Sequence, residues 1–228
     1  SANNGEVAPG VRYSDTNVDG DGVTIELTGA NNGEYSLDGS RTVTANGVDL
    51  KLNDFPYEKE ADDLYTMTAH VEDLSGRLAE QTVMFSVNRF GSVYVLDDAT
   101  KKLVDENDGY TNEEQKIGIR EINVDLLEES DVSISRDGEM KKLKADDDYT
   151  VKRSGDENTW KEYYYQLDKE NFEEEGAYNV TIFSKDRAEN TQDNKNNKRN
   201  EACNVEFVID KTAPSTVVTG IADEGRYR

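Results

Sequence analysis

The sequence is short of the residues that cross-linking and catalysis use most: one cysteine, Cys203, one histidine, His70, and one tryptophan, Trp160, stand among 228 residues with only three prolines. A single cysteine excludes an internal disulfide, so any core must close by apolar packing alone. A single histidine leaves a zinc site without its usual ligands and gives a Ser-His-Asp or Cys-His system no identifiable nucleophile. Apolar residues make up 34% and aromatics 8%, and no apolar run approaches the roughly 20 residues that cross a bilayer. Basic residues are scarce too. With 26 Lys+Arg against 49 Asp+Glu the net charge is −23, which repels nucleic acid and anionic lipid before contact. Glycines stand singly at turns such as Asp38-Gly39 and Asn46-Gly47, not as a phosphate loop between strand and helix, which argues against a nucleotide cofactor. No signal peptide is present at Ser1, and the chain reads as a monomeric segment of a longer multidomain protein.

What is present is a repeat. Leu64–Asp73 aligns with Ala177–Asp186, each with a Tyr eight residues ahead of the Asp, and Val83–Arg89 aligns with Val205–Lys211, ending in Asn or Asp and then a base. A pattern recurring at about domain length means tandem modules, and two of roughly 100 residues each fit the chain length. The expected division is 1–90, 91–212, and a short stretch 213–228 that is either the first strand of a third repeat, Ala213-Pro214 echoing Ala8-Pro9, or a C-terminal extension. Between Asp186 and Val205 the second copy carries the longer loop, and its stretch 192–200, rich in Asn, Lys and Asp, reads as solvated.

Both copies alternate like strands: Tyr65, Met67, Ala69 and Val71 share one face, as do Tyr178, Val180 and Ile182, and the closing row Val205, Phe207 and Ile209. Further strands are expected at Val23–Leu27, Val48–Leu52, Ile122–Leu126 and Val132–Ile134, with turns at Asp38-Gly39 and Asp137-Gly138. Only 168–175 offers a turn of helix, so the expectation is an all-β chain of tandem antiparallel sandwiches in an elongated arrangement.

The run Leu167–Tyr178 followed by Asn179–Thr191 resembles the penultimate-strand region of bacterial immunoglobulin-like repeats, and Val205–Pro214 resembles their closing strand and inter-domain junction. The family's Asp-any-Ala-Gly-Asn turn stands here as Asp186-Arg-Ala-Glu-Asn190 and, more loosely, Asp73-Leu-Ser-Gly-Arg77. The resemblance implies Ig-like Greek-key modules arrayed on large secreted or surface proteins of Gram-positive type, located at the cell wall, and acting as stalks, spacers or adhesive elements. Tyr65 and Tyr178 are structural candidates, because a corner tyrosine can hydrogen-bond backbone while its ring packs inward. Where antibody domains place a disulfide Cys two residues later, this chain has Met67 and Val180.

The sharpest local motif is Asp15, Asn17, Asp19, Asp21 and Glu26, whose spacing fits a calcium loop with Gly20 at the bend. The competing reading is an acidic turn before a strand: no helix flanks it, and Glu26 sits between Ile25 and Leu27. Asp97, Asp98, Asp105, Glu106 and Asp108 offer a second place for a shared cation, or ordinary solvated charge. Trp160 and Tyr164 belong to the densest aromatic group and could stack on a glycan or anchor a host protein. Tyr163 and Tyr165 instead alternate inward with Leu167. His70 has the phase of an outward face, and Cys203 that of Val205 and Phe207, inward. No catalytic residue is assigned and no cofactor beyond calcium is considered. The expected role is a non-catalytic spacer supporting adhesion, against a ligand-binding accessory module attached to a cell-wall or carbohydrate-active enzyme.

Overall fold

The computed structural model describes residues 1–199 and 202–220. The first half forms β1 (Ala2–Asn3), β2 (Gly10–Ser14), β3 (Val23–Gly29), β4 (Gly33–Glu34), β5 (Gly39–Thr44), β6 (Gly47–Leu52), β7 (Asp63–Glu72) and β8 (Leu78–Val87). The second forms β9 (Val93–Leu96), a helix α1 (Asp98–Asp105), β10 (Tyr110–Thr111), β11 (Ile117–Asn123), β12 (Leu127–Arg136), β13 (Glu139–Lys142), β14 (Tyr149–Ser154), β15 (Lys161–Leu167), β16 (Gly176–Asp186), β17 (Thr191–Asp193) and β18 (Val205–Ile209).

Four sheets result, two in each half. In the first, the order β1-β8-β7-β3-β4 faces β2-β6-β5; in the second, β10-β18-β16-β12-β13, with β17 on β16, faces β14-β15-β11-β9. Successive strand pairs alternate between the two sheets, which is the Greek-key order of the immunoglobulin-like sandwich. Pairing is antiparallel except where β1 lies parallel to β8 and β10 parallel to β18.

Alternation explains the burial. In β16 Tyr178, Val180 and Ile182 are buried, and in β18 Val205, Phe207 and Ile209 join them, together with Tyr163, Tyr165 and Leu167 of β15, in one continuous core. The first module packs less: its buried residues fall into two smaller clusters, one around Leu27, Tyr65 and Met67, the other around Val23, Val48 and Leu50.

Both modules turn the same corner before their long strand. The Tyr65 hydroxyl donates to the Ala61 carbonyl and that of Tyr178 to the Glu174 carbonyl, each at 2.8 Å. Each ring is wedged edge-on against a phenylalanine, Phe55 at 5.2 Å and Phe172 at 5.3 Å. Burial pushes the Tyr65 phenol up to about 12, so it remains a donor throughout the physiological range. Gly176 leads into the second corner at φ +147, where a Cβ would meet Asp137 Oδ2 at 2.6 Å.

Several local expectations are corrected. Ile122–Leu126 is not one strand: Asn123 Oδ1 accepts Asp125 N at 2.8 Å, and this turn carries the chain from β11 to β12 in the other sheet. Asp38-Gly39 is not the hairpin turn, since Gly39 opens β5 and pairs with Leu52; the β5–β6 turn lies at Ala45-Asn46. Asp137 and Gly138, both at positive φ (50 and 90), do make the β12–β13 hairpin. The helix α1 leaves little periodic signal in the sequence because its apolar face is only Leu103 and Val104 against the core; its start is fixed by Asp97, whose carboxylate accepts Thr100 N at 2.8 Å. Residues 213–220 form no strand, and the rest of the expected third repeat, 221–228, lies outside the described residues.

Candidate functional site

The densest polar chemistry lies where the two sandwiches meet. The linker Asn88–Ser92 joins them. Asn88, Arg89 and Ser92 are buried, Arg89 held by groups of the first module and Asn88 and Ser92 by side chains of the second. Asn88 Nδ2 donates to Asn123 Oδ1 at 2.9 Å and Asp186 Oδ2 at 3.0 Å, while its carbonyl accepts Asn190 Nδ2 at 2.7 Å. Asn123 Nδ2 also reaches Asp186 Oδ2 at 3.0 Å. Ser86, the penultimate residue of β8, donates to Asp125 Oδ1 at 2.6 Å.

The fully buried Asp186 ends β16, and its other oxygen is spent locally: Oδ1 accepts the amides of Ala188 and Asn190, both at 3.0 Å. Asp73 makes the same turn in the first module, Oδ1 accepting Ser75 N and Arg77 N, each at 2.8 Å. The repeated aspartate therefore shapes a turn in both copies, and in the second its free oxygen also gathers the amides of the joint.

The second layer is a strap. Arg199 comes from the long 190s loop, which the composition presents as solvated, yet Gln192, Asn194 and Arg199 are all buried. Its guanidinium meets Asp62 Oδ2 of the first module at 2.6 Å, Lys59 O at 3.0 Å and Gly91 O at 2.9 Å. Asp62 Oδ2 also accepts the linker amides of Arg89 at 2.8 Å and Phe90 at 2.9 Å. Desolvation dominates both members of the pair: it raises the Asp62 carboxyl against the pull of Phe90 N and Arg199, and lowers the Arg199 guanidinium despite Asp62. Gly91, at φ +68, is required here, since a Cβ would meet Gln192 Cδ at 3.0 Å. Arg89 closes the first-module side, donating to Gly5 O and Pro56 O and lying 4.6 Å over the Tyr57 ring.

Behind the joint, Glu121 is wholly buried and surrounded by hydroxyls: Ser92 at 2.6 Å, Tyr94 at 3.0 Å and Tyr165 at 3.1 Å, with Ser184 also donating. Burial raises its carboxyl above the usual range, and the Ser184, Ser92, Tyr94 and Tyr165 hydroxyls pull against that rise.

The sequence-based candidates take other places. Trp160 is half-buried at the joint: its Nε1 donates to Asp63 Oδ1 at 2.7 Å and the Arg199 guanidinium lies 5.1 Å from its ring. Asp63 is itself held by the amides of Asn31 and Asn32. Tyr164 donates to Asp97 at 2.8 Å, and Arg120 covers its ring at 4.9 Å. The two aromatics expected to receive a glycan or a host protein are thus occupied within the chain. The calcium-loop residues are not gathered. Asp15 and Asp19 cap the amides of Asn17 and Asp21, Asp21 pairs with Arg41 at 3.0 Å, and Glu26 lies on β3 3.7 Å from His70. Asp97 caps α1 rather than joining Asp105, Glu106 and Asp108 at one point. Among the described residues no group of three or more His, Cys, Asp or Glu side chains is placed to hold a metal. Cys203 packs against the second core, and burial raises its thiol.

No family model and no curated protein matches the chain. Among solved structures it is similar to a pair of titin Ig tandem domains, at 10% identity over 92% of this chain and 91% of that one, TM-score 0.39. It is similar to the D1–D2 pair of Rst, at 11% over 91% of each, TM-score 0.38. A tetra-tandem repeat in the extending region of a large adhesion protein gives 13% over 89% of this chain and 45% of that one, TM-score 0.43. The immunoglobulin-like assignment rests on strand order and not on these likenesses.

Proposed function

We propose that this chain is a rigid, non-catalytic spacer in a secreted or surface-exposed protein, its modules locked end to end so that they hold a more distal part away from an anchor and so support adhesion. The observation that carries it is the linker: Asn88 and Arg89 are buried, and the Arg199–Asp62 pair ties the second module to the first across it. A hinge needs residues free to absorb φ/ψ change, whereas here the linker amides and carbonyls are bonded to both neighbours. The interior of the joint is polar and directional, so it favours one relative orientation over many. A surface role is consistent with the charge of −23, which keeps a crowded array soluble and apart. Small-angle scattering tests the reading: one extended conformation should fit the curve, and an ensemble of bent and straight forms would refute it.

A further inference from the structure

The second module's longer loop is pinned from below. Gln192 Nε2 donates to the Ser92 and Ser184 hydroxyls at 3.1 and 2.9 Å, Asn194 Oδ1 accepts Ile182 N at 2.8 Å, and Arg199 reaches Asp62. β17 lies in register on β16, Gln192 opposite Ser184. Asp193 Oδ1 then accepts the amides of Lys195 and Asn196 at 2.8 and 2.7 Å, turning the chain back. Between these anchors Thr191, Asn196 and Lys198 are exposed and Lys195 is half-buried, so the loop presents them on a fixed frame.

Together with the linker these residues line a groove of about 380 Å³, within the range of roughly 300–1,000 Å³ that small-molecule clefts occupy. The linker contributes the half-buried Phe90, whose ring lies edge-on to Tyr57 at 6.1 Å and whose amide is fixed by Asp62 at 2.9 Å. Asn190 lines the groove as well, tied through Nδ2 to the Asn88 carbonyl at 2.7 Å.

The charge of this groove is opposite to that of the chain. Lys195 and Lys198 line it and no carboxylate does, although the chain carries 49 Asp+Glu against 26 Lys+Arg. Asp193 is spent on its own turn. Asn179 stands between Lys195 and Glu206: it takes the Lys195 ammonium on Oδ1 and gives Nδ2 to Glu206 at 2.6 Å. Lys198 makes no ion pair among the described residues. An aromatic ring, a hydroxyl, carboxamides and two ammonium groups suit a sugar acid. The ring takes the C–H face of the pyranose, Thr191, Asn190 and Asn196 exchange hydrogen bonds with its hydroxyls, and an ammonium meets its carboxylate. A bare anion would use the lysines and leave the ring idle.

We propose that this groove binds a short acidic oligosaccharide of the uronic acid class. Screening confines the repulsion of the remaining carboxylates to about 8 Å at physiological ionic strength, so a short ligand feels chiefly the two lysines, whereas a long polyanion meets the whole acidic surface. Because the frame is already bonded in place, binding costs little ordering. The site stands on the groove's own residues and not on the spacer role.

Titration of the intact, isotope-labelled chain with trigalacturonate, followed through the backbone amide shifts, reads the binding. Saturable shifts are expected at Phe90, Thr191, Lys195, Asn196 and Lys198 and not along Asp15–Glu26. Maltotriose, which lacks the carboxylates, and inorganic phosphate, which offers no C–H face, should each bind about tenfold more weakly or worse. Lys198→Glu changes an exposed residue and leaves the fold untouched; it should weaken trigalacturonate by about tenfold or more. Phe90→Leu keeps apolar bulk and removes the flat ring, and should weaken it similarly; if that change disturbs the joint, Lys198→Glu still decides. No saturable shift with trigalacturonate, binding indifferent to Lys198→Glu, or equal binding of maltotriose or phosphate overturns the proposal. Scattering on the unliganded Lys198→Glu chain tests the spacer reading by itself.

Discussion

Replacing Arg199 with alanine should open the joint while leaving both sandwiches folded. The Arg199 side chain is 8% exposed and that of Asp62 fully buried, so solvent screening gives little relief. The substitution strands the Asp62 carboxylate in a desolvated site with only the Arg89 and Phe90 amides. Breaking a buried pair by removing one partner costs about 3–5 kcal/mol. Each module has its own core, so the cost falls on docking rather than on either fold, and the closed-to-open ratio should drop roughly a hundredfold to several thousandfold. Trp160 is the sole tryptophan and lies against Arg199 and Asp63, so its fluorescence reports the joint without a label. Its emission should move to the red and acrylamide quenching should rise, with far-ultraviolet circular dichroism unchanged. Combining Arg199→Met with Asp62→Leu should recover only part of the closure, since an apolar pair avoids the desolvation that dominates both ionised groups but leaves the Arg89 and Phe90 amides without their acceptor. Unchanged emission and quenching in Arg199→Ala would refute the assignment of Arg199 as the strap.

Other consequences follow from the same geometry. Glu121 titrates above the usual carboxyl range when folded because of burial, so its contribution to stability is complete below its unfolded pKa and is lost as pH rises through the folded one. Urea midpoints should therefore fall over that rise in the wild type and fall less in Glu121→Gln, and identical pH profiles would count against it. Glu121→Ala, which orphans up to four hydroxyls, should cost more than about 4 kcal/mol. Tyr65→Phe and Tyr178→Phe should each cost about 0.5–1.5 kcal/mol by removing one hydrogen bond to a backbone carbonyl, measured by chemical denaturation; no loss would empty the corner of its stabilising role. Melting in calcium and in EDTA should coincide, since Asp21 and Glu26 already face Arg41 and His70, and a rise with calcium would show that Asp15–Glu26 closes on the ion.

The strand phase was legible wherever one face is apolar over several residues, as along Tyr65–Val71 and Tyr178–Ile182, because burial on one side of a pleat writes a period of two directly into the chain. The joint was not, because its members are Asn, Asp, Ser, Gln and Arg, the same types that make solvated loops. Nothing in Gln192–Arg199 distinguishes a strap from a mobile loop until Gly91 and Asp62 are placed opposite it. Trp160 stands out in the sequence as the sole tryptophan, but its partner Asp63 is 97 residues away, a separation that no local pattern carries. The calcium spacing at Asp15–Glu26 failed to assemble for the converse reason: the right residue types occur at the right intervals, but Glu26 is fixed in β3 and directed to β7.

Whether the joint is locked is settled most directly by residual dipolar couplings of the backbone amides in one weak alignment medium. A single alignment tensor should fit β7 and β16 together, and fits to either module alone should return the same orientation and magnitude. Two tensors of different magnitude would contradict the account, because they would show the sandwiches reorienting independently across Asn88–Ser92.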